Sequence, residues 1–183
     1  MDFLILVGTA REGRKTIRPA RAIRSEFKDN GHDVEFFDLK GRNIPPLGNR
    51  TYVEDEQPVP DDIEELSQKV EKTDCLVIVA PEYNHSIPGV LKNALDYLYP
   101  EYEDLPFAYV TDSAGGFGGL RAISHLHDIT LGLGGLPGPS LPISNVGEVI
   151  NEDGEVVDEN YVRRVEGFVE DVEEHVQKFG NKD

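Results

Sequence analysis

Residues 75–99 read CLVIVAPEYNHSIPGVLKNALDYLY, and no other stretch indicates the fold class as clearly. The first six residues, Cys75–Ala80, are all apolar, which is typical of a strand that is covered on both faces. Pro81 ends the strand, a polar loop spans Glu82–Ser86, and apolar residues at helical spacing predict a helix over Ile87–Tyr99. A strand, a short loop and a helix in this order indicate a βαβ unit of a parallel sheet.

The same alternation continues on both sides of this unit. Apolar runs predict four more strands, namely Phe3–Val7, Asp33–Leu39, Phe107–Thr111 and a short fifth strand inside the proline-broken segment 136–146, LPGPSLPISNV. Helical spacing predicts four further helices, which span Ile17–Asn30, residues 60–72, Leu120–Leu133 and Asp158–Phe179.

The remaining segments are predicted loops and turns. Residues 40–60, rich in Pro, Gly and Asn, form a long loop, and Asp153-Gly154 between Glu148–Ile150 and Glu155–Val157 predicts a small hairpin. No repeat or linker divides the sequence, so we expect a single domain over residues 1–183. Five strands alternating with five helices predict an α/β fold, a three-layer αβα sandwich around a five-stranded parallel sheet of order 2-1-3-4-5.

The composition excludes several function classes. Asp and Glu number 35 against 18 Lys and Arg, and the resulting net charge of −17 argues against nucleic-acid binding. The apolar runs are far shorter than the ~20 residues that a membrane-spanning helix needs. Cys75 is the single cysteine, which excludes an intrachain disulfide and a multi-cysteine metal site.

The distribution of charge carries more information than its total. Residues 11–24 hold six bases and one acid, a local net charge of +5, which leaves −22 for the rest of the chain. Acids spread over that remainder favour a protein from a salt-rich environment, and an acidic surface for a basic partner is the alternative. Residues 1–8 lack the basic start of a signal peptide, so we expect a cytoplasmic protein.

Three loops follow strand ends at the point where a doubly wound sheet binds ligands, and they span Gly8–Thr16, Pro81–Pro88 and Asp112–Gly119. The first reads GTAREGRKT and fails as a P-loop, because Arg14 stands where the lysine belongs. It still joins a glycine turn to a helix N-terminus, where free N–H groups favour a phosphate. Arg11 can pair with such a group, and an ordinary turn with exposed arginines is the alternative.

The other two loops offer a surface for a planar ring. Tyr83 provides an aromatic wall, and Asn84 can hold the turn or reach a ligand; a capped turn with Ser86 as N-cap is the alternative. In the third loop the glycines at 115–119 permit close backbone approach, or form a flexible turn without a ligand. That loop is not a dinucleotide fingerprint, because Arg121 stands where the last glycine belongs.

Together these loops resemble the NAD(P)H-dependent FMN reductase family of flavodoxin-like proteins, which includes quinone, azo-dye and chromate reductases. The family pattern P-E-Y-N-x-S-x-P-x-x-L-K-N-A-[IL]-D matches residues 81–96, and G-[ST]-x-R matches the first loop. A serine followed by glycines matches residues 113–116, and the whole resemblance spans about residues 3–146. The first helical turn departs from the pattern, since Thr16-Ile17 stands where many relatives have Ser-Asn.

The resemblance implies a bound FMN with its phosphate at the first loop and its isoalloxazine ring between the other two. The implied cofactor-binding residues are Thr9, Arg11, Arg14, Thr16, Pro81, Glu82, Tyr83, Asn84, Ser86, Ser113, Gly115 and Gly116. We expect no catalytic side chain, because the flavin carries the chemistry, and no metal site, because His125 and His127 face different sides of a predicted helix.

The implied reaction passes two electrons from NADPH or NADH through FMN to a quinone, azo compound, metal oxyanion or free flavin. A homodimer or homotetramer is also implied, with the tyrosines at 97, 99 and 102 as candidate interface residues or as core. A flavodoxin-like electron carrier is the alternative function. Flavodoxins have a T-x-[TS]-G-x-T run in the first loop, whereas this chain has TAREGRKT.

Overall fold

The computed structural model describes residues 1–53 and 58–180; part of the predicted loop, residues 54–57, and the final residues 181–183 lie outside the described residues. The strands are β1 (Asp2–Val7), β2 (Asp33–Asp38), β3 (Cys75–Pro81), β4 (Pro106–Asp112) and β5 (Leu136–Ile143). The helices are α1 (Ile17–Asp29), α2 (Asp61–Val70), α3 (Gly89–Leu95), α4 (Leu120–Gly132), α5 (Val146–Val149) and α6 (Glu159–Phe179), with a 3-10 turn over Pro100–Tyr102.

The five strands form one parallel sheet in the order β2-β1-β3-β4-β5, which confirms the predicted fold class and strand order. Side chains alternate along β1: Phe3 and Ile5 pack on one face with α1 and α6, whereas Leu4 packs on the other with α2, α3 and α4. All seven residues of β3 and all seven of β4 are buried. The sheet therefore lies between two helical layers, as strands without a polar face require.

The fifth strand is longer than predicted. It spans eight residues, although it contains three prolines that lack a backbone N–H. β5 lies at the edge of the sheet and has no neighbouring strand on its outer side. A proline whose missing N–H would point outward therefore loses no hydrogen bond to another strand. The register against β4 shifts between Phe107 and Tyr109, opposite Gly138 and Pro139, so an edge irregularity absorbs the prolines.

The predicted hairpin was wrong in its first strand. Residues 146–149 form the short helix α5, and a single antiparallel bridge joins Ile150 to Val156. The Asn151 side-chain oxygen accepts hydrogen bonds from the backbone N–H groups of Asp153 and Glu155, which closes the turn without a strand. Arg18 of α1 also donates to the Ile150 carbonyl, which links this turn to the helix.

Helix α3 is shorter than the predicted Ile87–Tyr99, and its N-cap is Pro88 rather than Ser86. The chain leaves the helix after Leu95 because Tyr97 turns inward, where its hydroxyl donates to the carbonyls of Pro45 and Pro46. Tyr97 and Tyr102 are buried and belong to the core, whereas Tyr99 is half-exposed. None of the described helices combines the length and apolar character that crossing a bilayer requires.

Candidate functional site

The three predicted loops meet at the carboxyl ends of β1, β3 and β4 around a pocket of about 220 Å³. The pocket is lined by Arg11, Gly13, Arg14, Lys15, Thr16, Pro81, Glu82, Tyr83, Asp112, Ser113, Ala114 and Val146. A larger cavity of about 610 Å³ lies at the opposite ends of the strands, and its lining carries five acids and no Lys or Arg. Its charge is unsuitable for an anionic ligand, whereas the smaller pocket has the basic first loop as one wall.

The first loop presents an open helix N-terminus. Thr16 is the N-cap of α1, its hydroxyl caps no backbone N–H of that helix, and the first turn contains no acid. The Arg18 N–H donates to the Lys15 carbonyl at 2.9 Å, and Pro19 has no N–H, so Ile17 is the residue of the first turn whose N–H can bind an anion. The Arg11 side chain is exposed, and its guanidinium forms no hydrogen bond or ion pair within the described part of the chain.

Arg14 is engaged by the protein itself. Its guanidinium donates to the Thr9 carbonyl oxygen at 2.8 Å and forms an ion pair with Asp38 at the end of β2. The side chain is 8% exposed; its bond to Thr9 braces the first loop internally, and its ion pair with Asp38 ties that loop to β2. Arg14 lines the pocket, but its contacts make it a support of the loop rather than a free cation.

The second loop makes a tight turn. Tyr83 and Ser86 exchange backbone hydrogen bonds of 2.8 and 3.0 Å, and Asn84 and His85 occupy the tip with φ of 49° and 68°. Asn84 adopts this left-handed conformation readily. Asn84 and His85 are exposed at the tip, so the side chain that faces the pocket from this turn is Tyr83.

Two polar contacts fix the second loop in place. The Tyr83 hydroxyl lies 2.8 Å from the Thr9 Oγ1 atom, which joins the second loop to the first. The Ser86 Oγ atom lies 2.8 Å from His125 Nδ1, which joins it to α4. Sequence reasoning missed the role of His125, because no spacing rule relates residues 39 positions apart.

An ion pair adds to the link with α4. The Glu82 carboxylate accepts a hydrogen bond of 3.1 Å from the Arg121 backbone N–H and pairs with the guanidinium of the same residue at 3.5 Å. Glu82 and Arg121 thus form an ion pair that anchors the second loop to α4. The second loop is therefore held from two sides.

The third loop is shaped by its serine and glycines. Ser113 Oγ donates to the Gly115 carbonyl and accepts from the Gly118 N–H, at 2.8 and 2.9 Å. Gly119 has φ of +81°, and a Cβ there would lie 2.8 Å from the Thr111 Cβ. Gly115 and Gly116 are exposed and leave open space beside the pocket without lining it.

Asp112 at the end of β4 is a pocket residue that sequence reasoning missed. It is 4% exposed, and its Oδ1 atom has no hydrogen-bond partner among the described residues. Burial raises the pKa of the carboxyl to about 6, against the lowering effects of a hydrogen bond from Thr16 and the positive charge of Arg11. The available signal was a single acid at the end of an otherwise uncharged strand.

The structure brings most of the predicted binding residues together. Seven of them line the pocket, namely Arg11, Arg14, Thr16, Pro81, Glu82, Tyr83 and Ser113. Thr9 is buried behind Tyr83, Ser86 faces α4, and Asn84, Gly115 and Gly116 lie at the exposed margin. No group of three or more metal-ligating side chains occurs in the described residues.

Comparisons with known proteins agree with this arrangement. The model of the NADPH-dependent FMN reductase family matches residues 1–147. The FMN-dependent NADPH-azoreductase of Staphylococcus haemolyticus is 30% identical over 140 residues, which cover 76% of this chain and 74% of that protein. The NADH:(hydroxy)cinnamate reductase subunit CrdA of Vibrio ruber is 29% identical over 167 residues, with 87% and 79% covered.

A solved structure shows the same fold. The flavoenzyme NAD(P)H:(acceptor) oxidoreductase FerB from Paracoccus denitrificans superposes with a TM-score of 0.81 at 24% identity, over 98% of this chain and 99% of that one. The family match covers all five strands and the three loops that meet at the pocket. The chain therefore belongs to the NADPH-dependent FMN reductase family.

Proposed function

We propose that this chain uses FMN, held by the three loops, to reduce a small acceptor with electrons from NAD(P)H. As a member of its family the chain is an FMN-dependent oxidoreductase that takes electrons from a nicotinamide cofactor. The observation that carries the proposed site is the meeting of an anion-binding helix end and an aromatic loop at one pocket. An elongated ligand with a phosphate at one end and a ring at the other fits that combination.

The phosphate end of the ligand belongs at the first loop. The N-terminus of α1 supplies the Ile17 N–H, and the Thr9 and Thr16 hydroxyls lie within the preceding loop. Arg11 supplies an exposed positive charge, while Arg14 holds the loop against Asp38. Arg11 is thus the side chain that we assign to direct phosphate pairing.

The ring end belongs at the second and third loops. Pro81, Glu82 and Tyr83 form one wall of the pocket, and Ser113 and Ala114 line the opposite side, with glycines 115 and 116 at its exposed margin. The contacts of Ser86 with His125 and of Glu82 with Arg121 keep the ring wall fixed. A fixed wall orients a ring without reorganisation when it binds.

The bound flavin supplies the hydride and electron-transfer chemistry, and the protein supplies binding and orientation. The side chains at the pocket bind the phosphate, hold the ring wall and shield one side of the site with apolar residues such as Val146. We assign no catalytic side chain to the chemical step. A quinone, azo compound, metal oxyanion or free flavin is the proposed acceptor class, and the names of relatives that are azoreductases support it.

An electron carrier without a substrate site is the alternative, and turnover separates the two. The experiment mixes the purified chain with FMN and NADPH under air and follows NADPH absorbance, with and without an azo dye or quinone. The proposed function predicts rapid oxidation that depends on FMN and the acceptor. FMN binding without NADPH oxidation would favour the carrier.

We further propose a cytoplasmic homodimer or homotetramer in which residues 1–183 form one domain. Large apolar side chains on the outer face of α4 and the preceding loop support an interface, since Phe117, Leu120 and Leu131 are each more than half exposed. The net charge of −17 supports adaptation to high salt. Light scattering at several salt concentrations tests the subunit count.

A further inference from the structure

The buried carboxyl of Asp112 lies between the two halves of the pocket. In the sheet it pairs with Pro81, and its carbonyl accepts a hydrogen bond of 3.3 Å from the Glu82 N–H of the second loop. On the other side its carboxyl accepts a hydrogen bond from Thr16 of the first loop. Asp112 thus lies between the first loop, where we place the phosphate, and the Pro81–Tyr83 side of the pocket, where we place the ring.

One oxygen of this carboxyl has no partner among the described residues. The surrounding polar groups are engaged elsewhere: Arg14 with Asp38, Glu82 with Arg121, and the Tyr83 hydroxyl with Thr9. Lys15 extends across Gly147, and Arg11 interacts with Asp112 at longer range without a hydrogen bond. A buried acceptor without a donor is unfavourable, and the pocket is the side from which a ligand can supply one.

We infer that Asp112 Oδ1 accepts a hydrogen bond from a hydroxyl of the polyol chain that joins the phosphate to the ring in FMN. The inference rests on the proposed function, because it takes FMN as the ligand of the pocket. The polyol is the part of FMN that spans the region between the two walls, and its hydroxyls are donors of the kind that the unpartnered oxygen lacks. Asp112 is in this account a binding residue that distinguishes flavins with a polyol from bare rings.

The ionised carboxylate is the stronger acceptor, so flavin affinity should rise with pH as Asp112 loses its proton. The groups that act on this carboxyl are the Arg11 guanidinium and the Thr16 hydroxyl, both from the first loop. The ordinary pKa of an Asp carboxyl is far lower, so this transition would fall near pH 6 only because the group is buried. The opposite arrangement, a protonated Asp112 that donates to the phosphate, would make affinity fall over the same range.

A flavin series separates the parts of the ligand. Fluorescence quenching would give the affinity of wild type and Asp112→Ala for FMN, for riboflavin, which lacks the phosphate, and for lumiflavin, which also lacks the polyol. We expect FMN and riboflavin to bind about ten- to a hundred-fold more weakly to the variant, with lumiflavin unchanged. Equal losses for all three flavins, or no loss for FMN, would overturn the inference.

A second variant keeps the test independent of folding. Asp112→Asn retains a carbonyl acceptor but cannot titrate, and Asp171→Asn on the exposed face of α6 is the matched control. The FMN phosphate titrates in the same way with both proteins, so its effect cancels when the FMN affinity of wild type is divided by that of Asp112→Asn. This ratio should rise from pH 5 to pH 8. A flat or falling ratio would contradict the inference. Wild type that binds no FMN at any pH would instead refute the proposed function.

Discussion

Arg11 carries a guanidinium that no described residue binds, beside a helix N-terminus whose first turn contains no acid. We expect Arg11→Ala to weaken FMN binding about ten- to a hundred-fold, because a charge-assisted pair with the phosphate is lost. Riboflavin, which lacks the phosphate, should bind to both proteins equally. Fluorescence titration measures both ligands.

The matched control for Arg11 lies on α1, the helix that follows the first loop. Arg24→Ala removes a guanidinium that packs over the Phe36 ring, about two turns beyond the start of α1. The Arg24 variant should bind FMN as wild type does. If both variants weakened FMN equally, the effect of Arg11 would reflect general charge rather than pairing with the phosphate.

The protonation state of the single residue Asp112 also affects the stability of the folded protein. Burial raises its pKa from the ordinary 3.8 to about 6, so the folded state binds the proton more tightly than the unfolded chain does. The associated stability is fully present below about pH 3.8 and is lost as the pH rises through about 6. At pH 8 the ionised carboxylate therefore destabilises the flavin-free protein by about 3 kcal/mol.

Asp112→Asn should accordingly stabilise the flavin-free protein at pH 8 and do so less at pH 5. Urea unfolding at the two pH values measures the difference. An equal gain at both pH values would mean that the carboxyl does not titrate as its burial indicates.

At the scale of elements, the turn between β4 and α4 sets one side of the site. Gly119 has φ of +81° and lies against Thr111, so Gly119→Ala should destabilise the protein by about 2 kcal/mol and weaken FMN binding. Gly167 on α6 has open space around it, and Gly167→Ala should stabilise by about 0.5–1 kcal/mol. Urea unfolding compares the two; a neutral Gly119→Ala would show that the turn tolerates a side chain.

The regular elements could be predicted because their patterns are local. The apolar runs of β1, β3 and β4 and the helical spacing of α1 predict these elements, and 2-1-3-4-5 is a common order for five alternating βα units. The failures depend on distant partners. The length of β5 depends on its edge position, and the carbonyl of Ile150 after α5 accepts from Arg18, more than a hundred residues away in sequence.

Some features of the candidate site could likewise be predicted from local sequence, and others could not. The three loops could be found because each follows a strand end and carries unusual residues. The support of the second loop by His125, the engagement of Arg14 with Asp38 and the burial of Asp112 depend on how the loops approach one another. No rule of spacing along the sequence contains that information.

At the scale of the whole molecule, the acidic surface predicts a response to salt. With a net charge of −17, mutual repulsion opposes the compact state, and molar KCl screens it to within about 3 Å. The melting temperature should therefore rise steeply between 0.1 and 1 M KCl, and less in sucrose of equal osmolality. A melting temperature that is indifferent to KCl would remove the proposal of a salt-adapted protein.

The central claim for the whole molecule is that three strand ends converge on one FMN. Calorimetric titration of the purified chain with FMN, at a salt concentration where the chain is stable, tests it most directly. We expect saturable binding of one FMN per chain, weakened in Arg11→Ala. A folded wild-type chain that gives no heat and shows no affinity for FMN would contradict it.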